Sequence, residues 1–274
     1  SNGKTTVTTL IGKALEAGGK KVFVCGNIGN PFCSEVERME AGDFVSLEVS
    51  SFQLEKVHEF KPKIALILNF GCNHLDRYKD LQEYLQAKKR IFMNQDKSDY
   101  LVLNCADPVV KELAKETKAK VVYFSQTPDL NPNQAAVLAV ASILGINKEL
   151  CLEVFREFKG IEHRLEYVTE INNVTFINDS KSTTIDSTIW AFKNISCQIV
   201  LIAGGKHKGI DYSIISDLIR EKARKVILIG EAKEKIKNAL GGFLSIDEAS
   251  TLEEAVKLAF SKAKSCDCVL LSPM

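Results

Sequence analysis

The sequence predicts an α/β protein of two domains, and three observations carry that reading. Short apolar runs alternate with amphipathic, helix-periodic segments from one end of the 274 residues to the other, the pattern of a largely parallel sheet with helices on both faces. The chain opens on Ser1-Asn2-Gly3-Lys4-Thr5-Thr6, the back half of a phosphate-binding loop, in which backbone N–H groups and a lysine face an anion at a helix N-terminus. After Gly160 the alternation restarts, with chain enough for a second core. The expected architecture is a P-loop-type, mostly parallel-sheet domain over residues 1–160, followed by a Rossmann-like α/β domain over 161–274.

Taken in order, Val7, Leu10, Ile11, Ala14 and Leu15 mark the buried face of a first helix, which Gly18-Gly19 stops. Strands are expected over 21–24, 44–49, 64–69, 100–103 and 121–124, and helices over 81–93, 108–115, 133–144 and 148–158. In the second domain, 166–169 and 174–177 read as a hairpin over Asn172-Asn173. A helix over 185–192, strands over 199–202 and 225–229, a helix over 252–261 and a strand over 269–271 follow. The chain begins inside a motif and stops at Ser272-Pro273-Met274 directly after a strand, so both ends are expected to be cut.

Lys plus Arg (36) nearly balance Asp plus Glu (35), and the net charge of +1 gives no electrostatic case for nucleic acid or an anionic membrane. No apolar run reaches membrane-spanning length. The 8 cysteines lack zinc or redox spacing and read as buried free thiols of a reducing cytoplasm.

Six constellations carry chemistry. In the opening loop, Lys4 would reach β/γ-phosphates and the Thr5 hydroxyl would ligate Mg²⁺. Glu48-Val-Ser-Ser-Phe-Gln-Leu-Glu55 puts a carboxylate at the C-terminal end of a buried strand, where such sheets bind ligands and Mg²⁺; the alternative is that Glu48 caps the next helix. His74 follows another strand, and as neutral imidazole it can ligate a second divalent ion. Lys88, in a basic helix, is by itself a solvated face. Arg164 in Gly160-Ile-Glu-His-Arg-Leu-Glu166 has the planar fork that suits a γ-phosphate. Asn178-Asp-Ser-Lys-Ser-Thr-Thr184 is polar and cationic at a helix start. For either of these two motifs taken singly, a charged surface loop is the competing reading. Gly204-Gly-Lys-His-Lys-Gly209 again sets glycines and lysines at a strand end.

Together these segments resemble the Mur ligase family of ATP-dependent amide-bond-forming enzymes, and within it the members that add D-glutamate to a UDP-muramoyl-alanine substrate. Glu48–Glu55 and Asn178–Thr183 carry the resemblance to that branch. It spans essentially the whole chain as a central ATP-binding domain and most of an amino-acid-binding C-terminal domain, with the family's N-terminal uridine-binding domain absent. The family's longer excursion between Phe124 and Asn133 is bridged here by residues 125–132.

The resemblance implies two cofactors, ATP and Mg²⁺, with two metal sites. Ser1, Asn2, Gly3, Lys4, Thr5 and Thr6, with Asn133, Arg164 and Asp179, would bind ATP. Thr5, Glu48, His74 and a carbamate formed by CO₂ on Lys88 would hold the metals. Asn27, Ser50, Gln53 and His74 would contact the muramoyl substrate. Lys181, Thr183, Lys208 and Ser272 would bind D-glutamate, and Lys4, Glu48, His74, Lys88, Arg164 and Lys181 would carry catalysis. A cytoplasmic monomer acting on small molecules is expected, with domain closure about residues 159–161. Two other readings stay open: a related ligase for another amino acid, and a P-loop ATPase switch, which gives no reason for the His74/Lys88 pair.

Overall fold

The structure, a computed structural model, describes all residues except Ser1, residues 72–76, Lys208 and Leu244. The chain divides into two compact units: Ser1–Cys72 with Arg77–Lys159 form one, and Gly160–Met274 is the bulk of the other.

The first unit runs α1 (Lys4–Ala17), β1 (Val22–Gly26), α2 (Phe32–Glu35), β2 (Phe44–Glu48), α3 (Ser51–Leu54), β3 (Ile64–Ile67) and α4 (Leu81–Lys89). It continues with β4 (Tyr100–Asn104), α5 (Pro108–Glu112), β5 (Lys120–Phe124), α6 (Pro132–Ile143) and α7 (Lys148–Glu157). All its pairings are parallel, but the strands form two sheets, β1-β2 and β3-β4-β5, where the sequence suggested one. They share a core, because Val7, Leu10 and Ala14 of α1 pack with Val102, Phe124 and the α6 residues Ala136, Val137 and Val140. Leu101 and Leu103 face the opposite way, onto Ala65, Phe92, Val110 and Leu113. The period of two along a strand thus gives β4 an apolar residue at every central position, as expected of a strand covered on both faces.

The second unit runs β6 (Glu166–Ile171), β7 (Val174–Asn178), α8 (Ile185–Asn194), β8 (Ile199–Gly204), α9 (Ser216–Lys222), β9 (Ala223–Ile229), α10 (Lys233–Leu240), β10 (Ile246–Glu248), α11 (Leu252–Lys262) and β11 (Cys268–Leu271). One six-stranded sheet, ordered β10-β9-β8-β11-β7-β6, is parallel except for the antiparallel β6-β7 hairpin. Asn172 and Asn173 close that hairpin with φ of 53° and 59°, the left-handed pair of a tight type I′ turn, which asparagine tolerates. Every residue of β8 is buried. Ile199, Leu201 and Ala203 face Phe192, Ile219 and Ile236, while Val200 and Ile202 face Ala255 and Ala259 of α11. The parallel strands of this sheet send the loops that follow β7, β8 and β11 out at a single edge.

Several boundaries differ from the sequence reading. Helix α6 begins at Pro132 behind an Asn131 cap with a Gln134 capping box, so Asn133 lies inside the first turn and does not open the helix. Helix α4 stops at Lys89, and Arg90 then donates to the carbonyls of Leu54 (2.9 Å) and Val57 (2.5 Å). The sequence reading passed over α9, α10 and β10, which are short, the helices also being rich in charge. The cysteines are not uniformly buried: Cys25, Cys151 and Cys268 are, whereas Cys33 and Cys266 are exposed. Among the described residues no helix is long and apolar enough to cross a membrane.

Candidate active site

The opening loop is built on Gly3, whose φ of 86° leads into α1 with no side chain capping the helix. A Cβ at this position would meet the Asn133 side-chain amide, which can give way, so it is the left-handed backbone that favours glycine. Asn133 therefore packs directly against the loop. Asn69, just beyond β3, fastens the loop from another side: its Oδ1 accepts from Asn2 N–H at 2.7 Å and its Nδ2 donates to the Asn2 carbonyl at 2.9 Å. Sequence reasoning missed Asn69, because nothing local marks an asparagine that pairs with a segment 67 residues away.

Strand β2, which ends in Glu48, is tied to α1 where Ser46 Oγ donates to the Thr8 carbonyl at 2.8 Å. Glu48 does not cap the following helix. Ser50 does, with Gln53 completing a capping box. Glu48 is 4% exposed. Its Oε1 accepts from Asn27 Nδ2 at 2.9 Å, while its Oε2 is buried without a hydrogen-bond partner. A buried carboxylate oxygen left in this state is costly unless a cation meets it. The described residues hold no cluster of three or more His, Cys, Asp or Glu around a common point. That donor set suits Mg²⁺, which is commonly held by one or two carboxylates, with water and substrate phosphates completing its shell. Glu48 and the Thr5 hydroxyl are the protein groups that would hold it.

Lys88 is not on a solvated face. It is 9% exposed and its Nζ lies 4.6 Å from the centre of the Tyr84 ring, itself packed on Tyr78 and Phe70. Burial, with the Lys4 charge adding to it, pulls the Lys88 ammonium down to about 7. At neutral pH a large share of this amine is therefore uncharged and nucleophilic. The coupling also places Lys88 within electrostatic reach of the phosphate-loop lysine.

In the second unit, Arg164 sits between two left-handed residues, His163 (φ 67°) and Leu165 (φ 41°). Such backbone persists only where neighbours hold it. Asn178 Nδ2 lies 2.8 Å from His163 Nδ1 and donates to Glu166 Oε2 at 3.1 Å, while Leu165 N–H donates to Asp179 Oδ1 at 3.1 Å. Arg164 Nε is buried without a hydrogen-bond partner. Asp179 is buried, and burial pushes its carboxyl above the usual range, opposed by hydrogen bonds from Ser182, Leu165 N–H and Ser272 and by the Arg164 charge. Ser272 is also buried, and its hydroxyl donates to Asp179 at 3.1 Å. It is a brace within the loops in this structure, whereas Lys181 and Thr183 are exposed. At the neighbouring strand end Gly204 (φ 131°) accepts no side chain, since a Cβ would stand 1.9 Å from the Ile229 carbonyl oxygen.

Gly3, Lys4, Thr5, Thr6, Glu48, Lys88 and Asn133 thus belong to one unit, with Asn27, Ser50 and Gln53 near Glu48 in sequence or by contact. Arg164, Asp179, Lys181, Thr183 and Ser272 belong to the other. Ser1, His74 and Lys208 lie outside the described residues.

Comparison with known proteins adds independent findings. Residues 1–143 match the family model described as Mur ligase middle domain, and residues 163–274 that described as Mur ligase, glutamate ligase domain. The UDP-N-acetylmuramoylalanine--D-glutamate ligase of Geotalea uraniireducens is 40% identical over 307 aligned residues, covering 100% of this chain and 68% of its own. That of Thermoanaerobacter pseudethanolicus is 39% identical, with 100% and 69% covered. Among solved structures, the MurF ligase of Thermotoga maritima in complex with ADP aligns over 100% of this chain and 74% of its own, with a TM-score of 0.78 and 15% identity, a likeness of fold.

Proposed function

The chain belongs to the Mur ligase family, and on that premise we propose that it joins D-glutamate to a UDP-N-acetylmuramoyl-alanine substrate, driven by ATP. The observation that carries this reading is the convergence of a phosphate loop, a Glu48 oxygen without a partner and a depressed, buried Lys88 in one domain. In the first step the substrate carboxylate attacks the γ-phosphorus of ATP. A P–O bond forms, the bond to the β-phosphate oxygen breaks, and ADP leaves behind an acyl phosphate. In the second, the D-glutamate amine attacks the acyl carbon, loses a proton, and the tetrahedral adduct expels phosphate.

The protein's part is positioning and charge neutralisation. Lys4 and the first-turn N–H groups of α1 hold the phosphates against the loop that Asn69 and Asn133 fix. Mg²⁺, when bound at Glu48 and Thr5, supplies positive charge to the phosphate oxygens. Lys88 attacks CO₂ as a neutral amine, forming an N–C bond and releasing a proton, and becomes an anionic carbamate suited to a second metal together with His74. Arg164 serves the nucleotide, and Asp179 holds the segments after β7 and β11 together. Asn27, besides bracing Glu48, serves the muramoyl end with Ser50 and Gln53. The exposed Lys181 and Thr183 suit a dicarboxylate acceptor, which disfavours acceptors with neutral side chains; Lys208, the third residue of this set, lies outside the described residues.

The test is ATP turnover by the full-length protein. Hydrolysis that depends on both the muramoyl nucleotide and D-glutamate is expected. Turnover without an acceptor would mean a P-loop switch, and turnover with another amino acid a different ligase.

A smaller prediction concerns the loop itself. Asn69→Leu removes a donor and an acceptor together and should weaken nucleotide binding by about 1–3 kcal/mol. Asn69→Asp, which keeps the acceptor alone and adds a negative charge near the phosphates, should do no better. Titration calorimetry with an ATP analogue checks this; wild-type affinity in both variants would deny Asn69 its role.

A further inference from the structure

Helix α8 presents Ile185, Thr188, Ala191 and Phe192 to the interior. Three of these side chains are the apolar residues such a face normally carries. The fourth is a threonine with no exposed surface at all, at a place where valine would have the same shape. Its Oγ1 lies 2.9 Å from Ser272 Oγ, and Ser272 Oγ donates to Asp179 Oδ2 at 3.1 Å, both bonds being buried. A serine hydroxyl has one hydrogen. Since that hydrogen goes to the Asp179 carboxylate, Thr188 is the donor to Ser272.

We infer that Thr188 is a positioning residue for the D-glutamate end of the site, acting through the Ser272 hydroxyl on Asp179; this rests on the ligase reading above. The relay joins the segment after β7 and the helix α8 that follows it to the segment after β11, 93 and 84 residues further along the chain, and the loop ends meet at one edge of the sheet. Asp179 Oδ1 holds Leu165 N–H at 3.1 Å. Asp179 N–H donates to the Leu271 carbonyl at 2.9 Å, Ser182 N–H to the Asp179 carbonyl at 2.8 Å, and Met274 N–H to the Ser182 carbonyl at 3.0 Å. The loop carrying the exposed Lys181 and Thr183 is therefore fixed on the loop after β11, and the helix below sets the height of both through one hydroxyl. A valine would fill the same volume and leave Ser272 without its donor, so the two loops could slip relative to α8 with the core still packed.

The experiment compares Thr188→Val and Thr188→Ser in the full-length protein by steady-state kinetics for all three substrates and by thermal denaturation. Thr188→Val is expected to raise KM for D-glutamate about tenfold, with KM for ATP changed less than about twofold. Thr188→Ser, which keeps the hydroxyl, should return KM for D-glutamate to within about threefold of wild type. An unchanged KM for D-glutamate in Thr188→Val overturns the inference. So does a uniform loss in which every KM and kcat move together with the melting midpoint, since that marks a purely structural threonine. Wild-type enzyme that turns over ATP without any response to D-glutamate would sink the ligase reading, and this inference with it, before a variant is compared.

Discussion

Lys4→Ala is expected to abolish ligation, lowering kcat/KM by about a thousandfold or roughly 4 kcal/mol of barrier, while the protein still folds. The lysine follows Gly3 at the first position of α1 and is only half-buried, whereas the core of that helix is made by Val7, Leu10, Ala14 and Leu15. Circular dichroism and melting should therefore match wild type. A variant within about tenfold of wild-type activity would mean that Lys4 is not the phosphate lysine. A second effect follows from the electrostatics. The Lys4 charge is one of the causes that hold Lys88 down, so its removal should let the Lys88 ammonium titrate at higher pH, which ¹³C-carbonate labelling of Lys88 as a function of pH would register.

Lys88→Ala should remove most of the remaining chemistry, by about a hundredfold or more, and regain part of it when acetate or another short carboxylate is supplied. The reasoning is that an amine 9% exposed and held to about 7 is poorly suited to serve as a fixed positive charge, but as a neutral amine it can take up CO₂. The sign of the pH dependence is fixed by the depressed value. Below about pH 7 the protonated form dominates and cannot attack CO₂, so activity at limiting CO₂ should fall as pH falls through 7 and recover on adding bicarbonate. Failure of every carboxylate to rescue the alanine variant, together with insensitivity of the wild type to bicarbonate, would reject the carbamate.

Much of this was written locally in the chain. The phosphate loop, Glu48 at a strand end and the Asn172-Asn173 turn are signals a few residues long, whose physics is decided by neighbours in sequence. The burial of Lys88 was not legible in that way. Its helix, Leu81–Lys89, is short and polar, and the Tyr84 ring beside the amine belongs to a cluster with Tyr78, Phe52 and Phe70 that is assembled from separate stretches. Asn69 and the Asn27–Glu48 bond escaped for the same reason: their partners are tertiary. Ser50 and Gln53 show the converse, since the spacing that made them candidates for substrate is also the spacing of a capping box. The hydroxyl of Thr188 could have been flagged from sequence as a polar residue on an apolar helical face, but its partner could not.

The single edge from which the second unit's loops emerge has an evolutionary consequence. Strands β7, β8 and β11 act as a chassis whose apolar residues are covered on both faces, whereas Lys181, Thr183 and Lys206 are exposed at its rim. On the proposed acceptor role of Lys181 and Thr183, exchanging rim residues would rewrite acceptor choice without touching the stability of the sheet. A combinatorial library for a new acceptor amino acid belongs at those rim positions. It should leave Asp179, Thr188 and Ser272 constant, because these are the bolts that hold the rim to the chassis.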